Sequence, residues 1–443
     1  MKIFHYSLGF PPYRSGGLTK FSFDLMKKQV SAGDDVALLW PGEIELFNHS
    51  VRIKPRKIRE GIRSFEIINP LPVSYDEGIK DSAYFTAYGD EEVFSRFWDE
   101  QKPDVIHVHT LMGLHKNLLV SAKKKNIRIV FTTHDFFPIC PKVTMFRHGK
   151  VCEEAETCVE CGVCNNMALS RINIMMLQSP LYRLFKDTSL LKILRKHHRD
   201  SFLSGENEYN SNCVDAVESY KKLRNHYYSM LQLMDMIHYN SNVTKNVYER
   251  FFTLPYNKVI SITHSDIADH RKSRNFDSHF FRIRYLGAQS AAKGFYILKD
   301  ALDELWKEQQ NFRLDIHFSP TAISDYMKVH DRYNYEDLES IFDDTDVLIV
   351  PSLWYETFGF TVIEALSYGV PVIISDRVGA KDILTDGAGI VIKNISSKGI
   401  NETIKDLTSM KLKEMNEIIM RNQHIMTIEE MIMCISENCY MES

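Results

Sequence analysis

Residues 351–376 read PSLWYETFGFTVIEALSYGVPVIISD, and in this nearly apolar stretch stand two glutamates, Glu356 and Glu364, separated by seven residues. Pro351-Ser352 closes the apolar run DVLIVPS. Phe358-Gly359-Phe360 precedes the helical run TVIEALSYG, and Gly369-Val370-Pro371 stops that run before PVIISD. Strand, loop, helix and strand in this order make one parallel βαβ unit. Gly359 lets backbone approach a ligand closely, and the helix that follows offers unpaired N–H groups to an anion. Here the two carboxylates can accept hydrogen bonds from vicinal sugar hydroxyls, a reason for acceptors in apolar surroundings. Two glutamates on an exposed helix face are the plainer alternative.

The same unit recurs outward along the chain. β-branched and aromatic runs begin at residues 2 (KIFHYS), 35 (DVALLW), 64 (SFEIIN), 104 (DVIHVHT), 127 (IRIVFTT) and 235 (DMIHYNS), with helix-length segments between most of them. After a polar, aperiodic stretch a second series begins at 281 (FRIRYLG), 312 (FRLDIHFS), 346 (DVLIVPS), 371 (PVIISD) and 389 (GIVIK). The pattern predicts an α/β fold of two doubly wound, Rossmann-like domains facing across a cleft, with ligand-binding loops at the carboxyl ends of the strands. The first domain spans 1–266 and is interrupted by a cysteine-rich loop at 140–164 and a helical insertion at 165–234. A linker covers 267–279, the second domain 280–421, and a C-terminal helix at 422–443 packs back on the first domain.

The 443 residues exceed what one hydrophobic core organises, which agrees with two domains. A net charge of −4 gives no global attraction for nucleic acid. With no bilayer-length apolar run and no signal-peptide pattern, a cytoplasmic protein is expected. Residues 181–202, LYRLFKDTSLLKILRKHHRDSF, set six lysines and arginines among leucines and phenylalanines. This suits peripheral contact with an anionic inner membrane face; a solvated helix packed on its own domain is an equal reading.

Several further pieces have ligand-facing chemistry. Gly16-Gly17 in FPPYRSGGLTKF opens a helix and permits close approach to a diphosphate, although glycine pairs also make plain turns. His107 and His109 alternate along one strand and so point the same way. His109, at the carboxyl end, faces the cleft, while His107 reads as a core histidine satisfied by a carbonyl. His134 and Asp135, at the end of the next strand, are acceptor-side candidates. Asp344-Thr345-Asp346 has the form of a metal-binding D-x-D, but it opens a strand at the amino edge of the sheet, so no catalytic metal and no cofactor is expected. Cys140, Cys152, Cys158, Cys161 and Cys164 have ligand spacing for a structural zinc, with reduced thiols, a disulfide or an iron-sulfur cluster as the other readings.

Pro351-Ser352, Glu356, Phe358-Gly359-Phe360 and Glu364-Ala365 together resemble family 4 of the retaining glycosyltransferases, which have the GT-B fold. The resemblance covers most of the chain and is weakest in the helical insertion and the C-terminal tail. It implies transfer of a sugar from a nucleotide diphosphate sugar, UDP- or GDP-linked, to a saccharide or lipid-linked hydroxyl acceptor in cell-surface polysaccharide or glycoconjugate synthesis. By the same resemblance Glu356 contacts the transferred sugar, Glu364 the ribose hydroxyls, His109 the active site, and the Gly16-Gly17 and Phe358-Gly359-Phe360 loops the donor. The resemblance also implies that Lys293 in YLGAQSAAKGF binds the donor phosphates. The family's arginine five positions earlier is here Ala288, leaving Arg377 and Lys381 as substitute cations, and Ser265 stands where the hinge glycine is usual. The resemblance further implies that the acceptor attacks on the face from which the leaving group departs and that the donor phosphate takes its proton. Ala288 also keeps open a catalytically silent nucleotide-sugar-binding subunit; a sugar-nucleotide epimerase of the same fold is the other alternative.

Overall fold

The computed structural model describes residues 1–14, 16–74, 78–147, 149–153, 158–166, 168–185, 214–254, 256–277 and 279–441. Most of the basic segment 181–202 therefore lies outside the described residues. The first sheet contains β1 (Lys2–Tyr6), β2 (Asp35–Pro41), β3 (Arg52–Arg59), β4 (Ile62–Ile68), β5 (Val105–Val108) and β6 (Arg128–Thr133). The cysteine loop adds a separate hairpin of β7 (Phe146–Arg147) and β8 (Lys150–Val151), after which β9 (Met236–Tyr239) and β10 (Asn257–Val259) complete the first sheet. Its strand order is β10-β9-β6-β5-β1-β2-β4-β3. Every pairing is parallel except β3 with β4.

The sequence pattern gives no hint of β3, because RIKPRKIR is basic, contains Pro55 and lacks an apolar alternation. These are the properties of an edge strand. Proline removes a ladder donor and charge discourages a further partner, and β3 indeed ends the sheet.

The second sheet contains β11 (Phe281–Tyr285), β12 (Phe312–Ile316), β13 (Met327–Val329), β14 (Val347–Val350), β15 (Val372–Ser375) and β16 (Gly389–Ile392), in the order β13-β12-β11-β14-β15-β16. All its pairings are parallel, as expected of strands that are apolar on both faces. A third apolar cluster joins the domains. In it Phe21 and Leu25 meet Phe358, Val362 and Ile363, together with Met431 and Ile435 from the last helix.

Helix α1 (Gly17–Ser31) lies against the first sheet and buries Phe21, Leu25 and Met26, but also Asp24 and Gln29, two polar groups that apolar periodicity does not anticipate. The helix Ile428–Ile435 packs back on α1, with Lys28 paired to Glu429. It starts with a capping box in which Thr427 and Glu430 satisfy each other's backbone N–H groups, an arrangement worth about 1 kcal/mol. Residues 267–279 are not a slack connection. Arg271 donates to the carbonyls of Ile419 at 2.7 Å and Gln423 at 2.8 Å, and buried Arg274 donates to the carbonyl of Thr345 at 2.9 Å.

Candidate active site

The carboxyl edge of the second sheet gathers the predicted donor residues. Gly294 has φ 75°, and a Cβ there would lie 1.8 Å from the carbonyl oxygen of Pro351. Only glycine brings the loop before the helix Phe295–Glu308 so close to the end of β14. The N–H groups of Leu353 and Trp354 donate to the Ala292 carbonyl at 2.9 and 3.1 Å, which fixes Lys293 beside the glutamate loop. The Lys293 ammonium is paired with Glu356 and lies 4.9 Å from the centre of the Trp354 ring. Trp354 Nε1–H donates to the same carboxylate at 3.0 Å. The backbone of Glu356 is held from both sides, donating to Arg377 O at 3.0 Å and accepting from Gly379 N at 2.9 Å.

Gly359, with φ 101°, turns the chain into the helix Phe360–Ser367. That helix carries Glu364, which is 3% exposed although it is a carboxylate. Its partner is the buried His264, 3.1 Å away. Burial first, and then the Glu364 charge, raises the phenols of Tyr333 and Tyr335. His264 links onward through a second polar group. Lys20 on α1 bonds Asp24 at 2.6 Å and Asp266 at 2.7 Å, and Ser265 N–H donates to Asp24 at 3.0 Å. Glu364 is thereby tied to the helix that begins at Gly16-Gly17. Gly17 itself faces Phe360 across the cleft, where a Cβ would stand 3.4 Å from the ring.

Ala288 contributes only its carbonyl, which accepts from Tyr285 OH at 2.7 Å. The substitute cations Arg377 and Lys381 donate to the carbonyls of Leu353 and Asp376. Lys293 is therefore the cation that meets Glu356 directly. Asp344 and Asp346 are both engaged by Arg282, at 3.1 and 2.6 Å, with Arg313 also on Asp344.

On the first domain, His109 does not face the cleft as expected: it is fully buried beneath Phe21, and the half-buried ring at the edge is His134, with His109 Nδ1 and His134 Nε2 3.4 Å apart. Burial lowers both imidazoles, His134 to about 3. Asp135 accepts from Phe137 N–H at 2.9 Å and Thr110 OH at 3.3 Å, and burial pushes its carboxyl up to about 6. The Thr357 hydroxyl donates to His134 O at 3.2 Å, so this edge touches the glutamate loop of the other domain.

The cysteine loop packs Cys140, Cys152, Cys158 and Cys161 against the first-domain core. Cys158 and Cys161 share a hydrogen bond, which with Arg224 and Lys221 lowers the Cys158 thiol. Among the described residues the metal-type groups that converge are His5/His107/His109 and Asp24/His264/Asp266; no three cysteines do so.

Lys20, Asp24, His264 and Trp354 escape a reading by motif. A signal existed for His264, which adjoins Ser265 in the hinge segment. Asp24, a lone acid on the apolar face of α1, could have been questioned in the same way.

Two family models match the chain, one on each domain: "Glycosyltransferase Family 4" over residues 15–151 and "Glycosyl transferases group 1" over 321–424. The chain belongs to the family 4 type of glycosyltransferases, and its fold is GT-B. Among solved structures it is similar to Anabaena Alr3699/HepE in complex with UDP, at 13% identity and TM-score 0.56 with 99% of each chain covered. It is also similar to a UDP-forming α,α-trehalose-phosphate synthase from Burkholderia xenovorans, at 13% identity and TM-score 0.57, covering 99% of this chain and 100% of that one. At such identities the likeness concerns the fold. An uncharacterized 41.2 kDa protein in the cps region of Klebsiella pneumoniae is 32% identical over 82 residues, a segment that is 18% of this chain and 22% of that protein.

Proposed function

We propose that this protein is a retaining hexosyltransferase that moves a sugar from a UDP- or GDP-linked donor to a saccharide or lipid-linked hydroxyl without a catalytic metal, in the assembly of a cell-surface polysaccharide or glycoconjugate. The observation that carries this reading is the convergence at one sheet edge of Lys293, Glu356 and Glu364, each held by a glycine-dependent turn. Lys293 neutralises the diphosphate as negative charge develops on it, Glu356 accepts from sugar hydroxyls, and Glu364 accepts from the ribose. Because Lys293 is already paired with Glu356, donor binding divides one ammonium between a carboxylate and a phosphate, drawing sugar and diphosphate to adjacent places. Alr3699/HepE forms complexes with UDP and with UDP-glucose, and WaaG is a glycosyltransferase involved in lipopolysaccharide biosynthesis; both support the donor class and the setting.

Incubation with a panel of nucleotide sugars and lipid-linked acceptors, with the anomeric configuration of the product read by NMR, tests the reading. A product of inverted configuration ends it. Binding of nucleotide sugar with neither transfer nor slow donor hydrolysis favours the silent subunit, the alternative that Ala288 supports.

Structural zinc in the cysteine loop is a separate proposal, resting on the C-x-x-C spacing alone, because no three of the described thiols converge in this structure. About one zinc per purified chain supports it; metal-free protein of unchanged stability ends it.

A further inference from the structure

A row of hydrogen bonds runs from the cleft through the first domain and out to the chain's C-terminal segment. His134 Nε2 lies 3.4 Å from His109 Nδ1, and His109 Nε2 lies 2.9 Å from His5 Nδ1. His5 Nε2 is 2.7 Å from Gln29 Oε1, and Gln29 Nε2 is 3.1 Å from the hydroxyl of Tyr440. That hydroxyl is 2.7 Å from His107 Nδ1, whose Nε2 is 2.6 Å from Thr132 Oγ1. Thr132 Oγ1 is 2.9 Å from His238 Nδ1, and His238 Nε2 ends the row 2.8 Å from Ile260 O. Every side chain in it except His134 is buried. Register explains the assembly: His5 is opposite His107, and Thr132 opposite His238, on neighbouring parallel strands.

The protons of this row are determined from its far end. The carbonyl of Ile260 can only accept, so His238 Nε2 carries a hydrogen and its Nδ1 is a lone pair. Thr132 must then donate to His238 and accept from His107 Nε2–H. His107 Nδ1, now an acceptor, takes the Tyr440 hydroxyl proton, and Tyr440 accepts from the Gln29 amide N–H. The amide oxygen of Gln29 faces His5, so His5 Nε2 carries a hydrogen and His5 Nδ1 accepts from His109 Nε2–H. His109 Nδ1 in turn accepts from His134 Nε2–H. Every bond donates in the same sense, away from the cleft, and the same reasoning explains why His5, His107 and His109 are not a ready metal triad: each Nδ1 lone pair is taken by a proton donor.

We infer that Tyr440 and Gln29 are positioning residues: through this row they hold His109 and His134 in the Nε2–H form, so that the cleft-end imidazole meets a substrate hydroxyl as an acceptor through Nδ1. The part of this concerning a substrate hydroxyl rests on the sugar-transfer reading; the proton arrangement does not. Burial keeps the members neutral, with His5 and His238 lowered to about 4. A second proton on any member but His134 would set two donors face to face. Tyr440 thereby makes the last turn of the chain part of the apparatus of the cleft, a role distinct from closing the core.

The test is histidine-selective ¹⁵N labelling of the full chain, with long-range ¹H–¹⁵N correlation spectra that distinguish the two neutral imidazole forms, run beside steady-state kinetics. Wild type is expected to show Nε2–H forms at His5, His107, His109, His134 and His238. Tyr440→Phe keeps the ring and removes only the hydroxyl. It should give mixed forms at His107 and along the arm to His134, with kcat lower by about tenfold and KM for the donor unchanged. Gln29→Glu places a carboxylate against His5; it should draw a proton there and reverse His109 to Nδ1–H, with a larger loss of kcat. An Nδ1–H form of His109 or His134 in the wild type overturns the inference, as does Tyr440→Phe with unaltered spectra and unaltered kcat. The spectra need no substrate. If no sugar transfer is found while the five forms are as stated, the functional reading fails and the row stands.

Discussion

The two sheet edges that face the cleft solve the problem of buried polarity in opposite ways. The edge of the second sheet uses charge: Lys293 on Glu356 at the loop, and Glu364 beneath it with His264. The edge of the first sheet buries a row of imidazoles with no formal charge, each satisfied by a neighbour. A charged pair can be shared with an incoming anion, because a phosphate competes with Glu356 for the same ammonium. A neutral row whose donors all point one way offers orientation and little electrostatic pull. The contrast teaches that, on the function proposed above, anion binding and hydroxyl positioning belong to different domains.

The strongest way to break this comparison is acid. The row histidines are held neutral, with folded pKa values below the ordinary imidazole value of 6.5, to about 4 for His5 and His238, about 3 for His134, and well below it for His107 and His109. A group depressed in this way binds fewer protons folded than unfolded, so its contribution is present above pH 6.5 and is lost as pH falls toward 4. At most about 1.4 kcal/mol of stability is lost per histidine for each pH unit of fall in that window. Denaturant melts from pH 7 to 4 should therefore show steep loss with uptake of several protons, and hydrogen exchange should show the first sheet opening before the second. A flat profile, or a second sheet that opens first, removes the contrast.

Next in size is Lys293→Ala. Losing a charge-assisted contact to a developing phosphate costs about 2–4 kcal/mol, or about two to three orders of magnitude in turnover. Near-normal turnover would transfer the phosphate role to Arg377 or Lys381. Glu364→Ala should weaken nucleoside diphosphate binding by about 10- to 100-fold, the loss expected when hydrogen bonds to a charged group disappear, whereas Glu356→Ala should lower turnover more than nucleotide affinity. Isothermal titration with UDP separates the two, and equal UDP affinity in wild type and Glu364→Ala removes the ribose role. The smallest effect belongs to Ala288→Arg, expected to leave turnover intact or raise it slightly by restoring a second cation; a large loss would mean that the loop from Tyr285 to Lys293 has no room for one.

The second-sheet half of the candidate site was legible because its parts are close in sequence. Glu356, Gly359 and Glu364 fall within nine residues, and Lys293-Gly294 forms a loop with an unusual turn. The series of apolar runs likewise revealed both sheets, since strands buried on both faces are continuous in hydrophobicity. The first-domain edge was legible only in fragments. His109 and His134 stood out as strand-end histidines, but His5, Gln29, Thr132, His238 and Tyr440 come from β1, α1, β6, β9 and the final turn, and only parallel register and the return of the last helix bring them together. A repeated arrangement, apolar residue then histidine then apolar or aromatic residue in KIFHY, DVIHV and DMIHY, was the available clue. β3 escaped for the opposite reason: an edge strand needs no apolar face to be paired on one side.

The fastening of residues 267–279 bears on how the two domains are joined. His270 N–H donates to Ser367 O at 2.8 Å, so the outgoing chain is anchored on the second domain from that point, and Arg271 clasps the returning chain at Ile419 and Gln423. The chain crosses between the domains at the short spans around Ile262–Ser265 and around His424–Met426, and Thr263 N meets Met431 Sδ of the last helix at 3.3 Å. Between them lies a cavity of about 110 Å³ lined in part by Ile262, Ile363, His424 and Met426. Both covalent crossings therefore lie at one place, beside the apolar cluster in which Phe21 and Leu25 meet Phe358 and Val362.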